Sequence, residues 1–290
     1  MHTWRPTYSI QALVARDELL RLVRAFFHER GVLEVQTGVL GNATVTEPAV
    51  ESIEVPGYGW LQTSPEYQLK RLLAAGAPSL YQLGPVFRAG EAGRHHNPEF
   101  VMLEWYRLGA TDRELMAEVA ELVDAALGAA PVRTLTYASV QAYAPADLDV
   151  AGLSEREAAD LRLAAGLDNL GAGRFFIVDY PADQAALARV RPENPDVAAR
   201  FELVVDGVEL ANGYWELDDA AALKKRFRTD LTVRRRRGQV LPPLDGRFLA
   251  AMAAGLPPCS GVALGFDRLL MLRLGARSLA EVMAFPIDRA

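Results

Sequence analysis

The chain has 290 residues, 50% of them hydrophobic and 23% charged, with a net charge of −6 from 37 acidic against 31 basic side chains. That length can bury a sizeable core, while no run approaches the ~18 apolar residues of a membrane span, so no membrane partner is expected. A net acidic chain offers no general field to polyanions, and its one cysteine, Cys259, excludes internal disulfides and cysteine-based metal clusters. With an N-terminus that lacks a signal-peptide apolar core, the expectation is a cytoplasmic protein.

In chain order, residues 17–30 set Leu19, Leu20, Val23, Phe26 and Phe27 on one helical face, and Gly31 suits the C-terminal stop. VLEVQTGVL then alternates as a strand. In residues 60–75, Ser64, Pro65 and Glu66 make a helix start: a capping hydroxyl, a proline at the first position and an acid in the first turn. Glu66 there either serves the helix dipole or meets a ligand. Residues 81–107, YQLGPVFRAGEAGRHHNPEFVMLEWYR, read as strand, polar loop, strand. Arg88 stands at the base of the loop, Glu91, Arg94, His95, His96 and Asn97 lie inside it, and Phe100, Glu104 and Tyr106 follow on the return strand. A guanidinium that can fork onto phosphate, beside an aromatic face and an amide, suits a nucleotide. An exposed polar hairpin has the same composition, and the hairpin alone does not choose between the two.

Residues 112–127 form a second amphipathic helix without evident chemistry. Residues 129–173 are rich in Ala, Gly and Asp with short helical patterns, and RFFIVDYP restores a strand. In residues 201–217, FELVVDGVELANGYWEL, Asp206-Gly207 signals a two-residue hairpin turn. Glu209 and Glu216 sit seven apart, an odd spacing that sends them to opposite faces of a regular strand. A bulge or kink at Asn212-Gly213 would re-aim the second acid. Two acids beside an apolar strand pair are costly unless a metal ion or an ammonium partners them; otherwise they are solvent-facing acids on an edge strand. Residues 220–238 read as a charged helix whose quartet Arg234 to Arg237 is more typical of a solvated face than of an anion site. Pro242-Pro243 interrupts the chain, residues 245–255 give a short helix, and CSGVALGFDRLLMLRLG, residues 259–275, is a small-residue strand leading into a helix.

The hairpin at 81–107 resembles motif 2 of the class II aminoacyl-tRNA synthetases, and its HNPEF…LEWYR run is similar to lysyl-tRNA synthetase. The first helix and strand resemble motif 1, the usual dimer interface, with Gly38 where that motif carries proline. TSPE resembles the lysyl-type amino-acid loop, ELANGYWEL the lysine-type acidic motif, and GFDRL motif 3. The resemblance implies an α/β (α+β) class II synthetase catalytic core, a mostly antiparallel sheet flanked by helices. It would be a single catalytic domain over 1–290 with a small helical insertion at about 129–173.

ATP and Mg²⁺ are implied as cofactors, with Arg88, Glu209 and Arg268 as the catalytic residues. Arg88 would hold the α-phosphate and the amino-acid carboxylate, Phe100 would stack on adenine, and Arg268 would meet the γ-phosphate at a helix N-terminus. Ala89, Gly90, Glu91, His96, Asn97 and Leu210 would line ATP, Gly265 would let the backbone approach adenine, and Glu209 would hold the metal. Motif 2 usually reads Arg-x-Glu, yet position 90 is Gly90 and the acid is Glu91. Ser64, Pro65 and Glu66 would meet the amino group of the amino acid, and Glu216 with Tyr106 its side-chain ammonium. Ala263 replaces a usual glycine in that pocket.

Motif 1 begins too early to leave room for an anticodon-reading OB-fold, so no anticodon recognition is expected. This and the LEWYR, ELANG, CSGVALG and VMAFPIDRA runs are similar to the elongation factor P–lysine ligase family. The implied function is ATP-dependent activation of lysine or (R)-β-lysine as an aminoacyl-adenylate and its transfer to a lysine side chain of elongation factor P, by a homodimer. Two rivals are an enzyme of this fold with another acceptor such as transfer RNA, and a non-catalytic regulator that binds amino acid or nucleotide. The joint presence of Arg88, Glu209, Glu216 and Arg268 disfavours the regulator.

Overall fold

A serine hydroxyl sets where the chain first becomes regular. Ser9 accepts from the Ala12 N–H and starts α1 (Ile10–Glu29), earlier than residue 17, because the cap lies upstream of the apolar stripe. The computed structural model describes residues 4–290; residues 1–3, the start of the expected 1–290 domain, lie outside the described residues. The strand expected over VLEVQTGVL is only β1 (Leu33–Glu34) and then β2 (Leu40–Gly41). Between them Thr37 gives its backbone N–H to the Gln82 side chain at 2.8 Å, where a ladder would use a backbone carbonyl.

Two further short strands, β3 (Glu54–Val55) and β4 (Gly59–Leu61), join β2 in a three-stranded sheet ordered β2-β4-β3. α2 (Glu66–Ala74) leads to the long hairpin of β5 (Leu80–Phe87) and β6 (Glu99–Leu108). α3 (Asp112–Leu127) opens with a reciprocal capping box between Thr111 and Glu114. The stretch at 129–173 holds a strand as well as helices: β7 (Val132–Thr136), α4 (Tyr137–Gln141) and α5 (Glu155–Leu170). β7 runs parallel to β8 (Arg174–Pro181) and extends the main sheet. Gly166 lets α5 close on α4, since a Cβ there would stand 2.2 Å from the Val140 carbonyl oxygen.

β9 (Val190–Arg191), β10 (Asn194–Val205) and β11 (Val208–Trp215) follow, then α6 (Ala220–Arg236), α7 (Gly246–Gly255), β12 (Cys259–Gly265) and α8 (Phe266–Arg273). The main sheet is ordered β1-β5-β6-β12-β11-β10-β8-β7, with β9 on β10, and is antiparallel except at β1–β5 and β7–β8. This is the expected class II synthetase core. The β10–β11 turn is the predicted one: Asp206 (φ 49°) and Gly207 (φ 78°) both take left-handed backbone.

One face of the sheet is closed by α1, α3 and α8 over an apolar core that includes Phe27, Trp105, Leu122, Phe201 and Leu269. Burying each such side chain contributes about 1.5–3 kcal/mol. On the other face α2, α6 and α7 form a smaller cluster around Leu69, Phe227 and Phe248, at one end of the sheet. At the other end α4 and α5 cover β7 and β8 around Tyr137, Val140 and Ile177, and the cleft lies between these two clusters.

Candidate functional site

The cleft lies over β6, β12, β11 and β10, encloses about 220 Å³, and is lined by Arg88, Glu209, Glu216 and Arg268 together. Ser64, Glu66, Glu91, His96, Asn97, Phe100, Tyr106, Leu210, Ala263 and Gly265 share its wall. Three predicted residues stand off that wall. Pro65 is the N-cap of α2, Ala89 gives its N–H to the Glu51 carbonyl, and Gly90 turns the loop at φ 76°. That left-handed turn explains the shifted acid: position 90 favours glycine, and the carboxylate that reaches Arg88 (3.7 Å) belongs to Glu91.

The odd spacing of Glu209 and Glu216 is resolved by a bulge, though not at Asn212-Gly213. Leu203 pairs with Ala211 and Val204 with Glu209, so Leu210 is the extra residue. It brings Glu209 onto the face shared by Asn212, Tyr214 and Glu216. The same face of β10 presents Arg200 and Glu202, which pair with each other.

Two groups of side chains divide the cleft. In the first, the Arg88 guanidinium donates to the Thr63 carbonyl at 3.3 Å and lies 5.3 Å from the Phe100 ring centroid. Arg268 donates to the Glu209 carbonyl (2.7 Å), the His95 carbonyl (3.2 Å) and His96 Nε2 (2.9 Å). A guanidinium only donates, so His96 Nε2 is the unprotonated acceptor. Burial and the Arg268 charge agree with this, holding the His96 pKa below its ordinary value. Asn97 uses both ends of its amide within the protein: Nδ2 donates to the Glu99 carbonyl and Oδ1 accepts from the Ile287 N–H. The Glu209 carboxylate meets no hydrogen-bond donor among the described residues. It is exposed to the cleft yet ringed by protein, and this enclosure sets its acidity: burial and then Glu202 push its pKa up.

The second group centres on carboxylates. Ser64 Oγ accepts from the Glu66 N–H at 3.0 Å and donates to Glu104 at 2.7 Å, while the Tyr106 hydroxyl donates to the other Glu104 oxygen at 2.8 Å. Glu216 is 1% exposed; Lys70 reaches its Oε2 at 2.6 Å, and Oε1 has no hydrogen-bond partner among the described residues. The Lys70 contact is a close ion pair without hydrogen-bond alignment, so Glu216 keeps acceptor capacity for a ligand. Burial raises the pKa of Glu216, with Lys70 opposing, and raises that of Glu104, with the Glu66 charge adding to it. The space is tight. A Cβ on Gly261 would fall 2.5 Å from Glu216 Oε1 and 2.3 Å from the Tyr106 ring.

The sequence pattern assigns Glu104 no role, places Asn212 only at a bulge, and does not single out Glu47, Lys70 or Arg200. Glu47 and Arg200 line the cleft, and Asn212 turns an unpartnered Oδ1 toward it. Lys70 was detectable in principle, since it shares the helical face of Leu69 and Leu73, where a solvated lysine does not belong.

Residues 1–289 match the family described as tRNA synthetases class II (D, K and N). Similar full-length proteins are the elongation factor P–(R)-β-lysine ligases of Salmonella gallinarum, Salmonella dublin and Salmonella paratyphi B. Each is 43% identical over 322 aligned positions that cover 99% of this chain and 98% of the relative.

Proposed function

The chain belongs to the class II tRNA synthetases of the D, K and N type, and from that premise we propose that it is an AMP-forming ligase that joins (R)-β-lysine or lysine to elongation factor P. Its full-length similarity to ligases of that name supports the reading. At the site, one observation carries it: Glu66, Glu104 and Glu216 gather in one part of the cleft, Arg88 and Arg268 in the other. A ligand with two ammonium groups and a carboxylate next to a triphosphate matches that division of charge.

The amino-acid carboxylate attacks the α-phosphorus of ATP, and pyrophosphate departs. Arg88 neutralises charge on the α-phosphate and steadies the attacking carboxylate; Arg268 meets the phosphates that leave. Fixed by carbonyls and by neutral His96, Arg268 is positioned before substrate arrives. Phe100 offers its ring to adenine, and Gly265 allows close backbone approach. Glu66 and Glu104 face the amino group near the reacting carboxylate, and Glu216 with Tyr106 faces the distal ammonium. The amine of a lysine on elongation factor P then attacks the mixed anhydride carbonyl, and AMP leaves; holding the two partners in place supplies rate at this step.

Mg²⁺ fits beside Glu209, whose carboxylate lacks a protein donor and is crowded by Glu202. Bound there, it would screen the charge that phosphate oxygens gather. A second copy of the chain is part of the proposal: α1 exposes Ile10, Leu13 and Val14, and β1 has one unpaired edge at the end of the sheet. Sedimentation at micromolar concentration should give a dimer, and a monomer throughout would remove that part. No described helix is long and apolar enough to cross a membrane, and the proposed setting is the cytoplasm, where elongation factor P is made.

ATP–pyrophosphate exchange tests the first step. Exchange that depends on lysine or (R)-β-lysine supports a catalyst; binding without exchange would support a regulator. Labelled (R)-β-lysine recovered on transfer RNA and not on elongation factor P would replace the acceptor.

A further inference from the structure

Lys70 is an ammonium that the proposed reaction does not use, and it is among the most deeply buried charges in the molecule at 1% exposed. α2 carries it into the cleft wall, where Nζ lies 2.5 Å from Glu66 Oε1 and 2.6 Å from Glu216 Oε2. The Tyr106 ring centroid is 5.9 Å away, on the strand that also carries Glu104. A desolvated cation at that depth costs several kcal/mol unless it is paired, and here two carboxylates share the pairing.

The two carboxylates are the ones assigned to the two ends of the amino acid. Glu66 faces the amino group near the carboxyl, and Glu216 faces the distal ammonium. One ammonium bonded to both fixes how far apart they stand. It also sets the charge: with Glu66, Glu104 and Glu216 ionised, three negative charges and one positive leave a balance that two ligand ammonium groups complete. We propose that Lys70 is the positioning residue of the amino-acid pocket, holding Glu66 and Glu216 at the separation that reads the spacing of two ammonium groups. The inference rests on the reading that the cleft takes a diamino carboxylic acid.

The test is ATP–pyrophosphate exchange by the full chain, measured with 2,6-diaminohexanoate and with (R)-3,6-diaminohexanoate. These donors carry the same charge and differ in where the first amino group sits. Lys70→Met keeps an unbranched side chain one atom shorter and removes its charge. The expected result is a KM for both donors raised roughly ten-fold or more, with KM for ATP within about two-fold of the parent, and a preference between the isomers that narrows several-fold. Unchanged donor KM and unchanged preference would overturn the proposal. So would an equal rise in donor and ATP KM, which marks general loosening. Should Lys70→Met melt before assay temperature, Lys70→Arg decides instead: it keeps the charge and alters the geometry, so the isomer preference should shift, and an unchanged preference overturns the inference. Parent protein that exchanges with neither isomer would sink the diamino-acid reading itself, an outcome distinct from a parent that works and a Lys70 variant that matches it.

Discussion

Glu216 has one oxygen on Lys70 and one without a hydrogen-bond partner among the described residues, and this division makes it the sharpest residue-level test. Glu216→Gln removes the negative charge and keeps the shape. Amino-acid binding should weaken by about 2–5 kcal/mol, seen as a raised donor KM in exchange, while ATP KM hardly moves; equal losses would contradict the assignment. On the proposed role of Arg88, Arg88→Ala should lower adenylate formation by about 10²-fold or more, since the Arg200 guanidinium in the same cleft is paired with Glu202. Normal exchange in that variant would remove Arg88 from its role. Acidity gives a third handle. Burial raises the pKa of both Glu104 and Glu216, so each holds a proton more readily in the empty pocket than in water. An ammonium prefers the ionised form, so donor binding should release protons, and donor KM should fall as pH rises above the ordinary carboxylate range. Calorimetry in two buffers of different ionisation heat checks this; proton-neutral binding would contradict it. The same raised values mean that the ligand-free protein loses stability as pH climbs through that window. Arg88, Glu209 and Arg268 were legible in sequence because each stands in a short run of distinctive residue types. Arg200 is not, since ARFEL looks like an ordinary solvated charge pair until the opposite strand is in place, and Lys70 is marked only by sharing the apolar face of Leu69 and Leu73.

Among the elements, β11 and β12 decide which acids meet. The hairpin turn could be read from Asp206-Gly207 alone, a local backbone preference. The bulge at Leu210 could not, because it depends on the register of β10 and β12 on either side of β11. For the same reason β1 is shorter than the alternation of VLEVQTGVL predicts: Gln82, distant in sequence, takes the hydrogen bonds of Thr37. Two glycines on these strands separate a cleft clash from a core clash. Gly261 faces the cleft, where a Cβ would press on the Tyr106 ring and Glu216, so Gly261→Ala should lose donor binding as well as about 1–3 kcal/mol of stability. Gly213 faces the core, where a Cβ would stand 2.3 Å from the Phe201 ring. Gly213→Ala should therefore cost about 1–3 kcal/mol of stability through overpacking. Paired thermal melts and exchange assays distinguish the two; the opposite pattern would reverse the assignment of faces.

At the scale of the whole molecule, distant segments are tied to the cleft by one arginine. The quartet Arg234 to Arg237 read as a solvated face; three of its members are exposed, but Arg234 is 2% exposed. It donates to the carbonyls of Thr46, Glu47 and Val50, fastening the segment that brings Glu47 to the cleft and whose Glu51 carbonyl accepts from Ala89. Arg234→Met should destabilise by about 2–4 kcal/mol, since buried carbonyls would lose their donor. A melting temperature equal to the parent would contradict this. No pattern around residue 234 separates it from its neighbours, because the carbonyls of Thr46, Glu47 and Val50 lie nearly two hundred positions away. A cleft that makes an activated lysine isomer and passes it to a protein should change the intact mass of elongation factor P incubated with this chain, ATP and each isomer. The expected result is a gain of one lysyl unit that requires ATP and is lost with Arg88→Ala; an unchanged mass with every isomer, from protein that is folded and binds ATP, would overturn the proposed transfer.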